Sequence, residues 1–367
     1  MALFAAVFSL ALVAFLLIPV FLGTGISQSR AQSESVNLVA ADRFHMQMTN
    51  KLSSALEGVL DIKKVYWLRD DDLVAPKPNP EGYGTAGTPE EIRKLLQDAQ
   101  PLLEGQRTAL TPETPLAPKN QVTYYLDETI FVATWKQTFE KAIYTISEIK
   151  IAHPSQFRRF LSGGSYGSGI QLTTTEMADS VNAVVASTGD FYAFRKYGII
   201  VYDGTVQRVS ADAVDTCYID DQGDMLFSYR GELNNMEDAQ KFVDENNIRF
   251  SLAFGPALID QGRKIEFPGY ILGEVYQRYA RAGLCQMDSL HYLLVVVSAE
   301  NDYLQHATMK EFQDVIASFG PKMAYSLDGG QSAVIAMQGQ TINNVNFGYQ
   351  RKISDIIYFA TALPERE

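Results

Sequence analysis

A chain of 367 residues that is 46% hydrophobic and 20% charged is long enough for one large folded domain with smaller additions, and too apolar for intrinsic disorder. Its net charge of −12, without any Lys/Arg-rich run, excludes a sequence-independent grip on nucleic-acid phosphates. An acidic chain also repels anionic ligands at long range, so recognition of a phosphate would rest on a few locally placed arginines.

From Ala2 to Leu22 no charge occurs and only Ser9 and Pro19 interrupt the apolar run, which has about the length that spans a hydrocarbon core. Residues 1–31 are therefore expected to be a transmembrane helix or signal anchor, the competing reading being a secretory signal peptide cut near Ser29-Arg30-Ala31. Neither Lys nor Arg precedes the run, so orientation is not set by it. Either reading places the bulk of the chain outside the cytoplasm, membrane-anchored or secreted.

Residues 32–107 read as a small helical membrane-proximal region. Val36 to Leu68 has an amphipathic pattern leading into a short Val65-Tyr66-Trp67-Leu68 strand, and Asp70-Asp71-Asp72 reads as a solvated turn. Pro76, Pro78, Pro80, Gly82, Gly84 and Gly87 punctuate the chain before Thr88-Pro89-Glu90-Glu91 opens a helix through Leu95, Leu96 and Leu102. The Thr/Pro-rich stretch from Thr108 to Pro118 marks a linker, 108–121, and a domain boundary.

Residues 122–367 alternate strands with a few well-signalled helices, the pattern of an α+β domain with largely antiparallel sheets. Thr173 and Glu176 have capping-box spacing and start a helix, followed by the strand Ala183-Val184-Val185-Ala186 and then Thr188-Gly189-Asp190-Phe191. Thr308 and Glu311 repeat the device, starting a helix that Gly320-Pro321 stops. Met323, Tyr325 and Leu327 then alternate as a half-buried strand that delivers Asp328 ahead of Gly329 and Gly330. Two residues without Cβ let a ligand approach the backbone beside a fixed carboxylate, although hairpins use the same residues. Twice a capped helix and an apolar strand end in an acid beside glycine, so Asp190 and Asp328 are expected to face one cavity.

Across roughly Gln121 to Leu363 the sequence resembles the phosphodiester glycosidase family, which includes bacterial proteins associated with exopolysaccharide biosynthesis. The pieces occur in order: Gly189-Asp190-Phe191-Tyr192, Gly255-Pro256, Ala280-Arg281, the helix from Thr308, the Leu327 to Ser332 loop, and Arg351 to Ser354. Departures are Thr188 where the family usually has Asn, Gln331 where it has a third Gly, and Ser298-Ala299-Glu300-Asn301-Asp302 in place of an Asp-Gly pair. They bear on substrate choice and on catalytic strength.

The resemblance implies hydrolysis of a sugar-1-phosphodiester in an envelope or exogenous glycan. Such a bond expels a phosphate monoester, already a good leaving group, so the demand is to stabilise a cationic sugar and to hold the phosphate. Asp328 suits the first task as stabiliser, nucleophile or base, and Arg281 suits the second by bidentate contact. Asp190 is the candidate partner carboxylate. Gly189, Gly329, Gly330, Gln331 and Ser332 are expected to complete a polar cradle for a phosphorylated carbohydrate. The alternatives are a non-catalytic module that binds envelope polysaccharide and a metal-dependent phosphodiesterase that breaks P–O.

Other chemistries fit less well. Gly163 to Gly169 lacks the Lys-Ser/Thr of a phosphate loop, and Val334 breaks the nucleophile-elbow pattern around Ser332. His45, His153, His291 and His306 have no metal-ligand spacing, and no cofactor is expected. His291 beside Tyr292 on an apolar strand reads as a core histidine, and Cys217 and Cys285 form no disulfide framework, though one bridge is open to them in an oxidising compartment.

Overall fold

The computed structural model describes residues 74–363 except 211–212, 268 and 271–272. The expected anchor in 1–31, the amphipathic stretch 36–68 and the Asp70-Asp71-Asp72 turn all lie outside the described residues. Among the described residues no helix is long and apolar enough to cross a membrane.

In chain order come β1 (Tyr83–Ala86), α1 (Pro89–Asp98), α2 (Gln100–Leu103), β2 (Val122–Leu126), β3 (Ile130–Phe139), β4 (Ala142–Ile151) and β5 (Phe157–Leu161). Next are α3 (Thr174–Ser180), β6 (Val185–Thr188), β7 (Ile200–Tyr202), β8 (Thr205–Arg208), β9 (Thr216–Asp220), β10 (Met225–Ser228), α4 (Met236–Glu245) and β11 (Ile248–Leu252). The chain ends with β12 (Ala257–Asp260), β13 (Arg263–Lys264), β14 (Arg281–Asp288), β15 (His291–Val297), α5 (Met309–Ser318), β16 (Met323–Leu327), β17 (Ile335–Met337), β18 (Gln340–Thr341) and β19 (Asp355–Phe359). The strands form a nine-stranded sheet, β1-β2-β3-β4-β15-β14-β16-β12-β13, and two five-stranded sheets, β10-β9-β11-β7-β8 and β18-β17-β6-β19-β5. Every pairing is antiparallel, as the α+β reading expects.

Alternating residues of the large sheet feed two cores. One face, with Phe131, Ala133, Trp135, Leu293 and Val295, packs on Ile92 and Leu95 of α1 and on Met309, Phe312 and Ile316 of α5. The other face, with Val132, Leu294 and Val296, packs on Val185, Ile335, Ile357 and Phe250 of the smaller sheets. Burial on both faces explains the unbroken apolar run of β15. It also corrects the reading of β16 as half-buried: all five of its residues are buried, because Ala324 meets the helical layer while Met323, Tyr325 and Leu327 meet the sheets.

The two capping boxes form as read, with Thr173 and Thr308 accepting from the N–H of Glu176 and Glu311, and the helix opened at Thr88 proves to have a third, Thr88 accepting from the N–H of Glu91. The described part of the 32–107 region differs from the helical expectation, because Tyr83–Ala86 pairs with β2 as an edge strand. Gly82 does close a short 3-10 turn, Pro80–Gly82, but Gly84 lies inside the strand; a Cβ on Gly84 would lie 2.4 Å from the Tyr124 ring, and one on Gly82 would lie 2.6 Å from the Tyr125 ring. Absent side chains let the cross-strand tyrosines lie over the edge. Cys217 and Cys285 are free and buried in different cores, so they form no bridge.

The 108–121 stretch is strapped to the sheet. Ala109 and Leu110 donate their N–H groups to the two oxygens of Glu148 at 2.7 and 2.8 Å, and His291 Nε2 lies 2.8 Å from the same carboxylate. Both Glu148 and His291 side chains are fully buried, which fits the core-histidine reading. Replacing Glu148 with Ala would strand the buried Leu110 N–H, the half-buried Ala109 N–H and an imidazole, so Glu148→Ala is expected to lower the urea midpoint by the equivalent of roughly 3 kcal/mol.

Candidate active site

Three strand ends meet at one place. Antiparallel pairing sets Ala282 opposite Leu327, so Arg281 at the start of β14 stands beside Asp328 at the end of β16. The N–H of Asp328 donates to the carbonyl of Gly189, just past β6, at 3.1 Å. The N–H of Gly330 donates to the carbonyl of Ala280 at 2.9 Å, which folds the loop back against β14. A Cβ on Gly329 would sit 2.5 Å from that same carbonyl oxygen, and Gly330 has φ +65°, so both glycines of the loop are required, one for space and one for conformation.

The resulting pocket, of about 270 Å³, is lined by Arg195, Arg281, Asp328, Gly329, Gly330 and Arg351 together with Phe194, Phe254 and Tyr279. Among these lining residues three are guanidinium bearers and one is an acid. Arg281 is held by the backbone: its Nε donates to Ala307 at 3.1 Å and its Nη2 to Gln277 at 2.6 Å. Arg195 lies over the Phe254 ring at 4.1 Å.

Asp328 is buried, and burial pushes its pKa up to about 6, while the nearby Ser332 hydroxyl and the charges of Arg351 and Arg195 pull it back down. The Ser332 hydroxyl is close enough to act on the carboxyl without making an aligned hydrogen bond. Buried side-chain atoms without hydrogen-bond partners occur in several parts of the described residues, Ser162 Oγ and Ser298 Oγ among them, and five are Asp328 Oδ2, Ser332 Oγ, Ser326 Oγ, Thr188 Oγ1 and Gln331 Nε2. All five belong to the β16 end and its loop or to the residue before Gly189. Such atoms are rare in folded proteins, and of these five residues only Asp328 lines the pocket; Gln331 and Ser332, expected in the polar cradle with Gly189, do not, whereas Gly329 and Gly330 do.

Asp190 does not line this pocket. It stands behind it, with Arg159 Nη2 donating to its Oδ1 at 2.8 Å and the Ala253 N–H donating to its Oδ2 at 2.8 Å. Arg159 Nε also donates to Asp355 Oδ2 at 3.1 Å, so two carboxylates share one guanidinium, with all three side chains fully buried. Burial and the second carboxylate push the Asp190 pKa up against the pull of Arg159. Asp355 accepts the N–H groups of Asp190 at 3.1 Å and Phe191 at 2.9 Å. Gly189 is needed for that contact, since a Cβ on it would lie 1.8 Å from Asp355 Oδ2. The expectation that Asp190 and Asp328 face one cavity is thus corrected: one acid holds the turn and the other faces the pocket.

Sequence reasoning passed over Arg159, Arg195 and Asp355. Arg158-Arg159 and Arg195-Lys196 look like ordinary surface charge, and only the pairing of β5 with β19, which sets Arg159 opposite Ile357, buries Arg159 beside Asp355. Among the described residues no group of three or more His, Cys, Asp or Glu is arranged to hold a metal ion.

Residues 181–360 match the family described as phosphodiester glycosidase. The SPbeta prophage-derived uncharacterized protein YomE of Bacillus subtilis (strain 168) is 22% identical over 267 residues, which is 71% of this chain and 37% of that relative. The match thus spans little more than a third of the relative's length. Among solved structures, a hypothetical protein from Synechocystis superposes with a TM-score of 0.51 at 14% identity, covering 68% of this chain and 64% of that one. The catalytic domain of zebrafish N-acetylglucosamine-1-phosphodiester alpha-N-acetylglucosaminidase, auto-inhibited by its pro-peptide, superposes with a TM-score of 0.51 at 16% identity, covering 79% of this chain and 98% of that one. At these identities the likeness to solved structures establishes the fold.

Gly189→Ala forces a methyl into the Asp355 carboxylate and should destabilise the fold by roughly 3 kcal/mol or more, read as a lowered denaturation midpoint. Asp328 has the opposite sign. Its folded pKa of about 6 is above that of an exposed carboxylate, so its contribution to stability is fully present below the unfolded value and is lost as pH rises through about 6. Asp328→Asn should therefore raise the thermal midpoint of the ligand-free protein at pH 8, by the equivalent of on the order of 2 kcal/mol, and change it little at pH 4.

Proposed function

We propose that this chain, whose residues 181–360 match the phosphodiester glycosidase family, is a hydrolase that cleaves a glycosyl phosphodiester at the sugar's anomeric carbon, releasing free sugar and a phosphate monoester. The observation that carries the reading is the pocket itself: three arginines line it together with one buried carboxylate, in a chain whose net charge is −12. Long-range charge disfavours any anion here, so the local cluster has a specific anionic ligand to hold. The unpartnered Oδ2 of Asp328, on the pocket wall, adds an acceptor that a sugar hydroxyl can meet.

In this reading Arg281, fixed by two backbone carbonyls, takes the phosphate together with Arg195 and Arg351. Asp328, ionised above about pH 6, stabilises the positive charge that develops at the anomeric carbon as the C–O bond breaks. The electron pair of that bond leaves on the phosphate oxygen, the oxygen of water ends on the sugar, and the proton that this water gives up passes to the released phosphate monoester or to solvent. A single carboxylate is enough because the departing phosphate needs no proton from an acid. Asp190 then acts at one remove, by holding the Gly189 turn against which the N–H of Asp328 is bonded. The zebrafish protein is an N-acetylglucosamine-1-phosphodiester alpha-N-acetylglucosaminidase, and its likeness in fold makes N-acetylglucosamine the first sugar to try. A site of action outside the cytoplasm, on an envelope or exogenous glycan, is supported by the apolar run from Ala2 to Leu22.

Hydrolysis of N-acetylglucosamine 1-(methyl phosphate) in ¹⁸O-water should put the label on the sugar; label on phosphate would mean P–O cleavage and would overturn the assignment. Asp328→Asn should reduce kcat/KM on the order of a thousandfold. In the parent protein kcat/KM should rise with pH through about 6 and then level, since the ionised carboxylate is the working form. Saturable binding of the diester without turnover would favour the polysaccharide-binding module instead.

A further inference from the structure

The pocket wall contains an aromatic ring that the chemistry described so far does not use. Phe194 is 69% exposed, which by itself is ordinary for a single apolar side chain, but it stands on the pocket wall. It is also held in place. Its ring stacks on Phe191 with centroids 5.3 Å apart and planes 19° from parallel, and Phe191 is itself buried. Phe191 sits at φ +51°, a conformation that a bulky residue adopts only when its surroundings impose it. Here the imposing groups are visible: the Phe191 N–H donates to Asp355 Oδ1 at 2.9 Å, and the Phe191 carbonyl accepts from the N–H of Phe194 at 3.0 Å and of Arg195 at 3.2 Å. The buried pair of carboxylates on Arg159 thus anchors a turn whose outer end presents a phenyl ring and a guanidinium side by side.

An exposed ring that is rigid, and next to a cation, is arranged for a ligand with an apolar face beside an anionic group. A pyranose 1-phosphate has that shape: axial C–H bonds on one face, hydroxyls around the rim and a phosphate at the anomeric position. We infer that Phe194 is the platform on which the sugar ring of the substrate lies while Arg195 and Arg281 hold its phosphate, an inference that rests on the glycosyl phosphodiester reading above. Phe194 is accordingly a specificity-determining residue. It recognises the sugar rather than the phosphate, and it lowers the ligand's free energy equally in ground and transition states.

The full chain carrying Asp328→Asn, which stops turnover, is titrated by calorimetry with two probes, N-acetylglucosamine 1-(methyl phosphate) and dimethyl phosphate. Adding Phe194→Ala should weaken the sugar diester about tenfold and leave dimethyl phosphate within twofold, while Phe194→Tyr restores the sugar affinity. With Asp328 intact, Phe194→Ala should raise KM about tenfold and leave kcat within twofold, the pattern of uniform binding. Phe194 is exposed, so the thermal midpoint should not move, which separates a lost platform from a lost fold. Sugar-diester affinity that is unchanged by Phe194→Ala overturns the inference while the hydrolase reading stands on the turnover of the parent protein. An equal loss for both probes also overturns it, since the ring would then be supporting Arg195. A parent that binds neither probe and turns over no diester sinks both readings.

Discussion

The site depends on one guanidinium shared by two carboxylates out of reach of water. Arg159 comes from β5, Asp355 from the start of β19, and Asp190 from the turn after β6, so the ion cluster pins two strands of the third sheet to the Gly189–Arg195 segment. Its remaining bonds reach into the second sheet, through the Arg159 contact to the Ser251 carbonyl and the Ala253 N–H on Asp190. Removing one member of such a cluster leaves an uncompensated charge in the interior, which is far more destabilising than replacing the whole cluster with apolar groups would be. The arrangement is therefore a weak stabiliser of the fold and a strong specifier of one backbone path. That path carries Arg195 into the pocket and supplies the carbonyl on which Asp328 rests.

Around this frame the molecule reverses its own electrostatics. A chain with 43 acidic residues against 31 basic ones lines a small cavity with three arginines and leaves one carboxyl there to be desolvated. The carboxyl is held short of full solvation by the β16 strand, and its oxygen and neighbouring hydroxyls have no partner of their own. Stability is given up locally so that the interior presents unmet valences to whatever enters, which is a common relation between the polarity of a binding pocket and fold stability.

Much of this was legible in the sequence, for physical reasons that can be named. The helix starts at Thr88, Thr173 and Thr308 are local devices whose geometry closes within four residues, so the chain displays them directly. The Asp328-Gly329-Gly330 loop stood out as an acid and two glycines at a strand end, but hairpins use the same residues, and the family resemblance was needed to read it as a site. The Arg281 placement was reachable only through the family resemblance, since its position beside Asp328 is a matter of antiparallel register. What sequence hid was long-range: the Arg159 cluster joins β5 to β19 across most of the fold, and buried arginines carry no local mark. The same holds for α4, whose cap is Asn235 accepting from the Asp238 N–H rather than the more visible Thr/Glu pair. Tyr83–Ala86 was hidden by its glycines, which read as breakers until the tyrosines lying over them are seen.

The edge strand β1 and the strap at Glu148 have a bearing on what the smallest folding unit is. Composition changes at the Thr/Pro-rich stretch, but Ile92, Leu95, Leu103 and Leu110 share a core with Trp135, Leu293 and Val295 of the large sheet. A fragment that begins at β2 would strip one side of that sheet and bare a free edge of unpaired amide groups, an invitation to intermolecular strand addition. The pocket-bearing sheets and the segment from β1 to the strap are in this sense one body, and inheritance, truncation or domain shuffling would have to move them together.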